Sequence, residues 1–414
     1  MASPTDAASP PPLPPLLTWG ATQSHILTGG GRLAANFLPG RDFETPTDLP
    51  HTVKARGLDA SREQYREWLA TGRRDPDSGA VGAWCRPLFS GGWAHSSSAD
   101  TQVFNLQTPS IFIDLRFPRA RLSRPRGFYG ATLEDCTNAQ LRELSRQHCF
   151  AGYALVDRSK SNTAPPSPPR SSPSIDDLPI CTRHHALDWN YHARFPRSRP
   201  NKWRIEPHPS GDGSQFKEWG FATEPRNGQA IYMERWALLP DSRPSSTTKK
   251  GEFRSQHGSK GPWLALRAID TDVDAFLVVV GDHFAFARDR VRSLPDFSYA
   301  KKGGCGSLAD AALQRGDREA LLALISLEGS YGHVSGEDKT KGCESLPLWE
   351  IECSTWPWRE GCRLVEGAHT VWDSHSRLAA VEWDGVQWEV LENSFGRREV
   401  DWMFLGRDRN RARL

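Results

Sequence analysis

Apolar and polar residues alternate along many short stretches of this chain. In residues 111–116, IFIDLR, and again in residues 231–238, IYMERWAL, the side-chain type changes with a period close to two. That period predicts β-strands whose two faces meet different surroundings. The continuous apolar run at residues 276–280 predicts a fully buried strand, and Gly281-Asp282 after it predicts a hairpin turn.

A second hairpin is predicted near the end of the chain. Asp384-Gly385 separates LAAVEW from VQWEVLE, and this dipeptide favours the positive φ angles of a two-residue type I′ turn. Helical patterns are fewer and shorter. They cover residues 58–71, residues 137–147 and residues 305–323, the last with a bend near Gly316.

Thr137 and Gln140 form a capping-box pattern, which predicts that the second of these helices begins at Thr137. Strands greatly outnumber helices and do not alternate regularly with them. We therefore expect a mainly β fold, an antiparallel barrel or sandwich with a few short helices.

Composition divides the chain into a core and several polar segments. The expected parts are a disordered Pro-rich leader at 1–17, an N-terminal appendage with one short helix at 18–84, a β-barrel core at 85–400 with mobile insertions at 158–178 and 240–261, and a basic tail at 401–414. No apolar run is long enough for a transmembrane helix, and the first residues lack the pattern of a secretory signal. These features predict a cytoplasmic protein without a membrane partner.

Charge and cysteine spacing exclude several classes of partner and cofactor. The 52 basic and 50 acidic residues give a formal net charge of +2, which argues against nucleic-acid binding. The eight cysteines form no C-x-x-C pair, so neither a zinc site nor a dithiol redox site is predicted, and we expect reduced, buried thiols. Residues 304–309, GCGSLA, match a dinucleotide-loop pattern but follow no convincing strand, so no cofactor is predicted.

No catalytic motif stands out. The chain contains no G-x-S-x-G, H-E-x-x-H or P-loop sequence. His184, His185 and Asp188 lie close together, but a regular strand would place His185 and Asp188 on opposite faces. We therefore interpret both as ordinary strand residues, and Asp282-His283 as part of a turn.

The sixteen tryptophans are the most unusual feature of the composition. Large aromatic side chains favour strands and line ligand cavities. The predicted ligand-pocket residues are Trp189, Trp203, Glu218, Trp219, Glu234, Trp236 and His185. Together they would suit a planar apolar or cationic ligand. The alternative is that these indole rings fill the barrel core.

Several strand segments resemble a known family. The stretch LALRAIDTDVDAFLVVVGDHFAFARDR, the segment GQAIYMERWALLPDS and the terminal GVQWEVLE are similar to the lipocalin-like family named after a small yeast casein-kinase-interacting protein. QTPSIFIDLRFP, FAGYALV and STWPWREG also resemble uncharacterised bacterial proteins. The resemblance covers residues 85–405 and implies an up-and-down, calycin-type antiparallel barrel, or two packed barrels. It implies no catalytic residue.

Three functions follow as expectations. The first is a non-catalytic binding protein whose barrel holds a small apolar or planar ligand. The second is a protein-interaction module with a filled core. The third and weakest is an enzyme that acts on a ligand at the barrel mouth through His185, Asp188 or Glu234.

Overall fold

The computed structural model describes eleven parts of the chain. They are residues 80–90, 100–157, 179–189, 201–208, 213–220, 232–240, 242, 262–269, 273–292, 308–335 and 348–405.

Eight antiparallel strands in chain order form the first sheet. They are β1 Gly82–Ser90, β2 Thr101–Gln107, β3 Ile111–Pro118, β4 His148–Asp157, β5 Ile180–Asp188, β6 Asn201–Pro207, β7 Gln215–Gly220 and β8 Tyr232–Leu238. Because β1 pairs with both β2 and β8, this sheet closes into a barrel. Closure leaves no free strand edge among these eight strands.

The next eight strands form a second antiparallel sheet. They are β9 Trp263–Ile269, β10 Ala275–Val280, β11 His283–Arg288, β12 Glu328–Ser335, β13 Leu348–Ser354, β14 His369–Trp372, β15 Leu378–Trp383 and β16 Val386–Asn393. Their spatial order is β13-β12-β11-β10-β9-β16-β15-β14, so β13 and β14 are the two outer strands.

The described residues contain five short α-helices. They are α1 Arg119–Leu122, α2 Asn138–Leu144, α3 Leu308–Arg315, α4 Arg318–Ile325 and α5 Arg397–Leu405, and one turn of 3₁₀-helix spans Pro357–Arg359. No helix in these parts of the chain is both long and apolar enough to cross a bilayer.

The two sheets pack through the outer face of the barrel. Apolar side chains of β2, β3 and β4 share one hydrophobic core with side chains of β10, β11 and β12. Phe104 stacks on Tyr331 with ring centroids 3.7 Å apart, and Tyr153 meets Phe276 edge to face. Arg267, fully buried between the sheets, binds Asp274 through two nitrogens and donates to the Tyr153 hydroxyl. The interface therefore combines apolar burial with a satisfied polar bridge.

A second core lies on the opposite face of the second sheet. Trp383 and Trp388 stack in parallel at 4.0 Å within it. Met403 and Phe404 of α5 pack against this core, so the prediction that the tail starts at 401 is wrong for residues 401–405. The spacing of Val400, Met403 and Phe404 gives α5 one apolar face, which these contacts bury.

Several local predictions are confirmed. Asp384 and Gly385 have φ angles of 53° and 70° in the hairpin that joins β15 to β16. The capping box of Thr137 and Gln140 is formed at the start of α2. The chain bends at Gly316, whose φ is 66°, between α3 and α4. Predominantly β structure with few helices is likewise confirmed.

Other predictions fall on residues that the structure does not describe. These are the leader at 1–17, the helix at 58–71, the insertion at 158–178, nearly all of 240–261, residues 304–307 and the tail beyond 405. β1 begins at Gly82, three residues before the predicted start of the core at 85. Its first residues belong to the core because Ala83 and Trp84 are fully buried.

The described cysteines are free thiols. Cys85, Cys136, Cys149 and Cys181 are buried as predicted, whereas Cys353 is half-buried and Cys362 is exposed. The expectation of a buried thiol is therefore wrong for Cys362, which follows the 3₁₀ turn at the surface.

Gly329 on β12 packs closely against the barrel. An added Cβ atom would lie 2.7 Å from both the Cys149 sulfur and the Leu115 Cδ2 atom. We expect Gly329→Ala to lower the free energy of unfolding by about 1–3 kcal/mol, because both neighbours are fully buried and have no room to move. Chemical denaturation measures the change. Gly396→Ala is the control, since its nearest contact would be 3.5 Å; an equal loss in both variants contradicts the prediction.

Candidate functional site

The interior of the barrel is lined by charged side chains that reach across it. Arg116 on β3 lies 3.7 Å from Glu234 on β8, and Arg183 on β5 donates to Asn105 on β2 at 3.0 Å. Neither pair of strands is adjacent in the barrel, so these contacts run through its interior.

Asp114 is the centre of this network. It receives two hydrogen bonds from Arg116, at 2.8 and 3.1 Å, and lies 3.5 Å from Arg183. Burial alone would raise the pKa of Asp114, but the positive charges of Arg116, Arg183 and Arg86 outweigh it and hold the pKa below its ordinary value. Asp114 therefore remains a carboxylate at neutral pH and balances part of the buried positive charge.

A second acidic group lies on β7 and β8. Glu218 and Glu234 are directly paired across these strands. Glu234 accepts a 2.5 Å hydrogen bond from Arg86, and Glu218 accepts one from the Trp236 indole at 3.1 Å. Two like charges side by side are tolerated here because guanidinium and indole donors face them.

The Arg183 guanidinium lies between two aromatic rings. Its central carbon is 4.3 Å from the Phe112 ring and 4.5 Å from the Trp203 ring. It also donates to the Gln107 side-chain oxygen at 2.7 Å. This arrangement fixes a flat cationic group between aromatic faces.

Two buried donors in this cluster lack a hydrogen-bond partner among the described residues. They are the Trp203 indole N–H and the Nε–H of Arg183. A buried donor without a partner costs about 1–3 kcal/mol. The cluster is therefore chemically suited to a group that brings acceptor oxygens.

His185 and Asp188 are hydrogen-bonded, contrary to the sequence prediction. Their Nδ1 and Oδ2 atoms lie 2.9 Å apart, with both side chains buried. The prediction assumed a regular strand, but the pairing of β5 with β4 shifts between Leu187 and His185. The resulting bulge places both side chains on one face, where His185 also meets the Phe112 and Phe150 rings.

Two further groups in the barrel are held in neutral forms. Burial, followed by the positive charge of Arg116, lowers the pKa of His148 to about 3. Burial raises the pKa of Cys181 to about 12. His148 is therefore an uncharged imidazole at neutral pH, and the Cys181 thiol is not a nucleophile there.

The structure brings together most of the predicted pocket residues. Trp203, Glu218, Glu234, Trp236 and His185 all belong to the barrel interior.

Two predicted pocket residues do not add to this picture. Trp189 lies just beyond β5, where its indole donates to the Ser145 carbonyl and its own carbonyl accepts from Arg290. These contacts lie outside the barrel interior, so they do not support the prediction that Trp189 lines the same cavity. Trp219 lies on β7 opposite Met233, but its side chain is outside the described part of the structure.

Sequence reasoning missed the basic half of the site. Arg86, Arg116, Arg183 and Gln107 were not singled out, nor was Asp114 as their partner. The signal was present in IFIDLRF, where Asp114 and Arg116 share one face of a strand whose other face is apolar. Charges at alternate positions of a buried strand indicate a polar interior rather than a solvent-exposed face.

Comparisons with known proteins add little. No protein-family model matches the chain, and no curated protein matches it. Among solved structures, the chain is similar to an uncharacterised protein of Saccharomyces cerevisiae, YLR301w. The two are 15% identical, the match covers 76% of this chain and 98% of that one, and the TM-score is 0.39.

Removal of the Asp114 charge tests its role in the interior. We expect Asp114→Asn to lower the free energy of unfolding by about 3–5 kcal/mol, because the buried Arg183 and the half-buried Arg116 lose their counter-ion. Asp373→Asn is the matched control, since it breaks an exposed pair with Arg377 and should cost far less than Asp114→Asn. Urea denaturation measures both, and similar losses would show that Asp114 is not central.

His148 generates a pH dependence of stability. Its folded pKa of about 3 lies below its ordinary 6.5, so the unfolded chain binds a proton between these values and the folded chain does not. Stability is therefore lost as the pH falls from about 6.5, by at most about 1.4 kcal/mol per pH unit. We expect His148→Gln to flatten the melting temperature against pH over this window. An unchanged slope in thermal scans would contradict the assignment.

Proposed function

We propose that the closed barrel is a lipocalin-like, calycin-type binding domain that holds a small planar ligand. An eight-stranded barrel either fills its interior with side chains or holds one small ligand. Phe112 and Trp203 provide aromatic surface beside the Arg183 guanidinium, and Trp236 adds a further buried indole ring. The binding is non-catalytic in this proposal.

The unpartnered donors around Arg183 carry the proposal. Trp203 and Arg183 each present a buried N–H group without a partner in the described residues. Donors of this kind favour carboxylate, phosphate or carbonyl oxygens. We therefore propose a ligand with a planar body and an acceptor-bearing end, which is more polar than the apolar ligand that the tryptophan content alone favours.

A protein-interaction module with a filled core is a second candidate. The ion pairs that join β3 to β8 and β5 to β3 favour it, because side chains that meet across a barrel occupy its interior. In that case the charges would act as internal braces, and the barrel would bind partners only on its outside.

An enzyme that acts at the barrel mouth is the third candidate. One observation favours it: the hydrogen bond of His185 to Asp188 brings two titratable groups into contact. If His185 transferred a proton, His185→Gln would change the chemical identity of a bound ligand as well as its amount.

Native mass spectrometry of protein purified from its host tests these candidates. We expect an added mass that denaturation releases. Trp203→Phe should reduce the loaded fraction, because it removes one donor and keeps an aromatic face. Trp388→Phe is the matched control, since Trp388 also has a buried, unpartnered indole nitrogen but lies in the second sheet.

The outcomes separate the three candidates. Loss of the ligand in Trp203→Phe but not in Trp388→Phe supports the binding protein. Protein that carries no added mass, or equal loss in both variants, contradicts it and favours the filled module. A ligand of different mass in His185→Gln supports the enzyme.

A further inference from the structure

A concave groove lies on the surface between the end of β3 and the start of β4. Its volume is about 580 Å³. It is lined by Arg124, Phe128, Thr137, Ala139, Gln140, Arg142, Glu143 and Arg146. None of these residues belongs to the barrel interior, so the groove is a separate feature of the molecule.

Helix α2 and the turn after it supply most of the basic side chains. Residues 139, 142, 143 and 146 follow the spacing i, i+3, i+4 and i+7, so they share one helical face. The opposite face, with Leu141 and Leu144, is buried. The sequence therefore directs Arg142 and Arg146 towards the groove while the apolar residues hold the helix to the domain.

The groove carries an excess of positive charge. Three arginines line it against one carboxylate, Glu143, which accepts from Arg124 at 3.1 Å. The guanidinium groups of Arg142 and Arg146 have no hydrogen bond or ion pair with any residue that the structure describes. Both are exposed. Two cations thus remain available to an anionic partner.

Phe128 adds an apolar contact in the same place. It is 39% exposed, and Arg124 lies over its ring at 4.8 Å. Its carbonyl accepts from the Gln140 side chain at 2.5 Å, and its amide donates to the Pro125 carbonyl at 3.1 Å. The ring is therefore presented by a backbone that is fixed at both ends, which lowers the entropic cost of binding.

We infer that this groove binds an acidic peptide segment of a partner protein, with one apolar side chain of the segment resting on Phe128. Carboxylates of the segment pair with Arg142 and Arg146. The near balance of 52 basic and 50 acidic residues over the chain argues against a nucleic-acid partner, which favours a clear basic excess. A flat membrane surface does not enter a concave groove. The charge and the shape together favour a peptide.

Fluorescence anisotropy with a labelled peptide tests the inference. The probe is a short run of Glu and Asp with a central Leu, titrated with the full chain at low salt. We expect binding that weakens as salt rises. Arg142→Glu should weaken it by about tenfold or more. Arg142→Gln, with a smaller loss, is the second variant if charge reversal impairs folding.

Arg398→Glu is the matched control. Arg398 is an exposed arginine of α5, on the second sheet, so its reversal changes the net charge by the same amount. We expect it to leave the affinity nearly unchanged. Equal losses in Arg142→Glu and Arg398→Glu would show only a general charge effect and would overturn the inference, as would no binding of the peptide at low salt.

The apolar contact is tested with two peptides that differ only in the central residue, Leu or Ser. Phe128→Ser should weaken binding of the Leu peptide but not of a peptide with Ser in place of Leu. Equal effects on both peptides would overturn the contact. Phosphatidylserine vesicles and single-stranded RNA are titrated in parallel. Tighter binding of either one, lost in Arg142→Glu, would overturn the peptide assignment in favour of that anion.

Discussion

The ion pairs that Asp114 makes with Arg116 and Arg183 are the constraint on which the barrel depends. Removing charges from water costs several kcal/mol for each ion, and only close pairing with good geometry offsets that cost. Asp114 meets this condition through two short bonds to Arg116 and a longer contact with Arg183. The Asp114 carboxylate thus neutralises part of the positive charge of the interior arginines, and the other interior groups depend on that neutralisation.

This constraint follows from the way the barrel is packed. Strands β2, β3 and β4 are buried on both faces, because their outer side meets the second sheet. The apolar residues of β3, such as Ile113 and Leu115, lie in the core between the sheets. The alternating positions, Asp114 and Arg116, must therefore point into the barrel. The alternation of apolar and charged residues along β3 therefore produces both the apolar interface between the sheets and the polar interior of the barrel.

The local elements were predictable because short-range chemistry determines them. Asp384-Gly385 specifies its hairpin, and Thr137 with Gln140 specifies the start of α2. The bulge that joins His185 to Asp188 was not predictable, since a bulge depends on the pairing with β4 and leaves no period in the sequence. Alternation also does not indicate which face of a strand is inside. The division into a closed barrel and a second sheet depends on contacts between distant residues, such as Arg267 with Tyr153.

The segment between β3 and β4 shows how the same fold supports a surface feature apart from the barrel. Arg318 at the start of α4 donates to the Asn138 side chain at 2.6 Å and to the Glu134 and Cys136 carbonyls. These bonds fasten the beginning of α2 to α4, one of the two helices that connect β11 to β12 in the second sheet. Because these bonds already order the groove, little conformational entropy is lost when a ligand binds in it. Arg116 makes its ion pairs inside the barrel, whereas Arg124, Arg142 and Arg146 line the groove outside it. The arginines of this region therefore have two roles: some neutralise buried carboxylates, and others form an exposed basic surface. The internal set is paired with carboxylates of the chain itself, whereas Arg142 and Arg146 of the groove are open to another molecule.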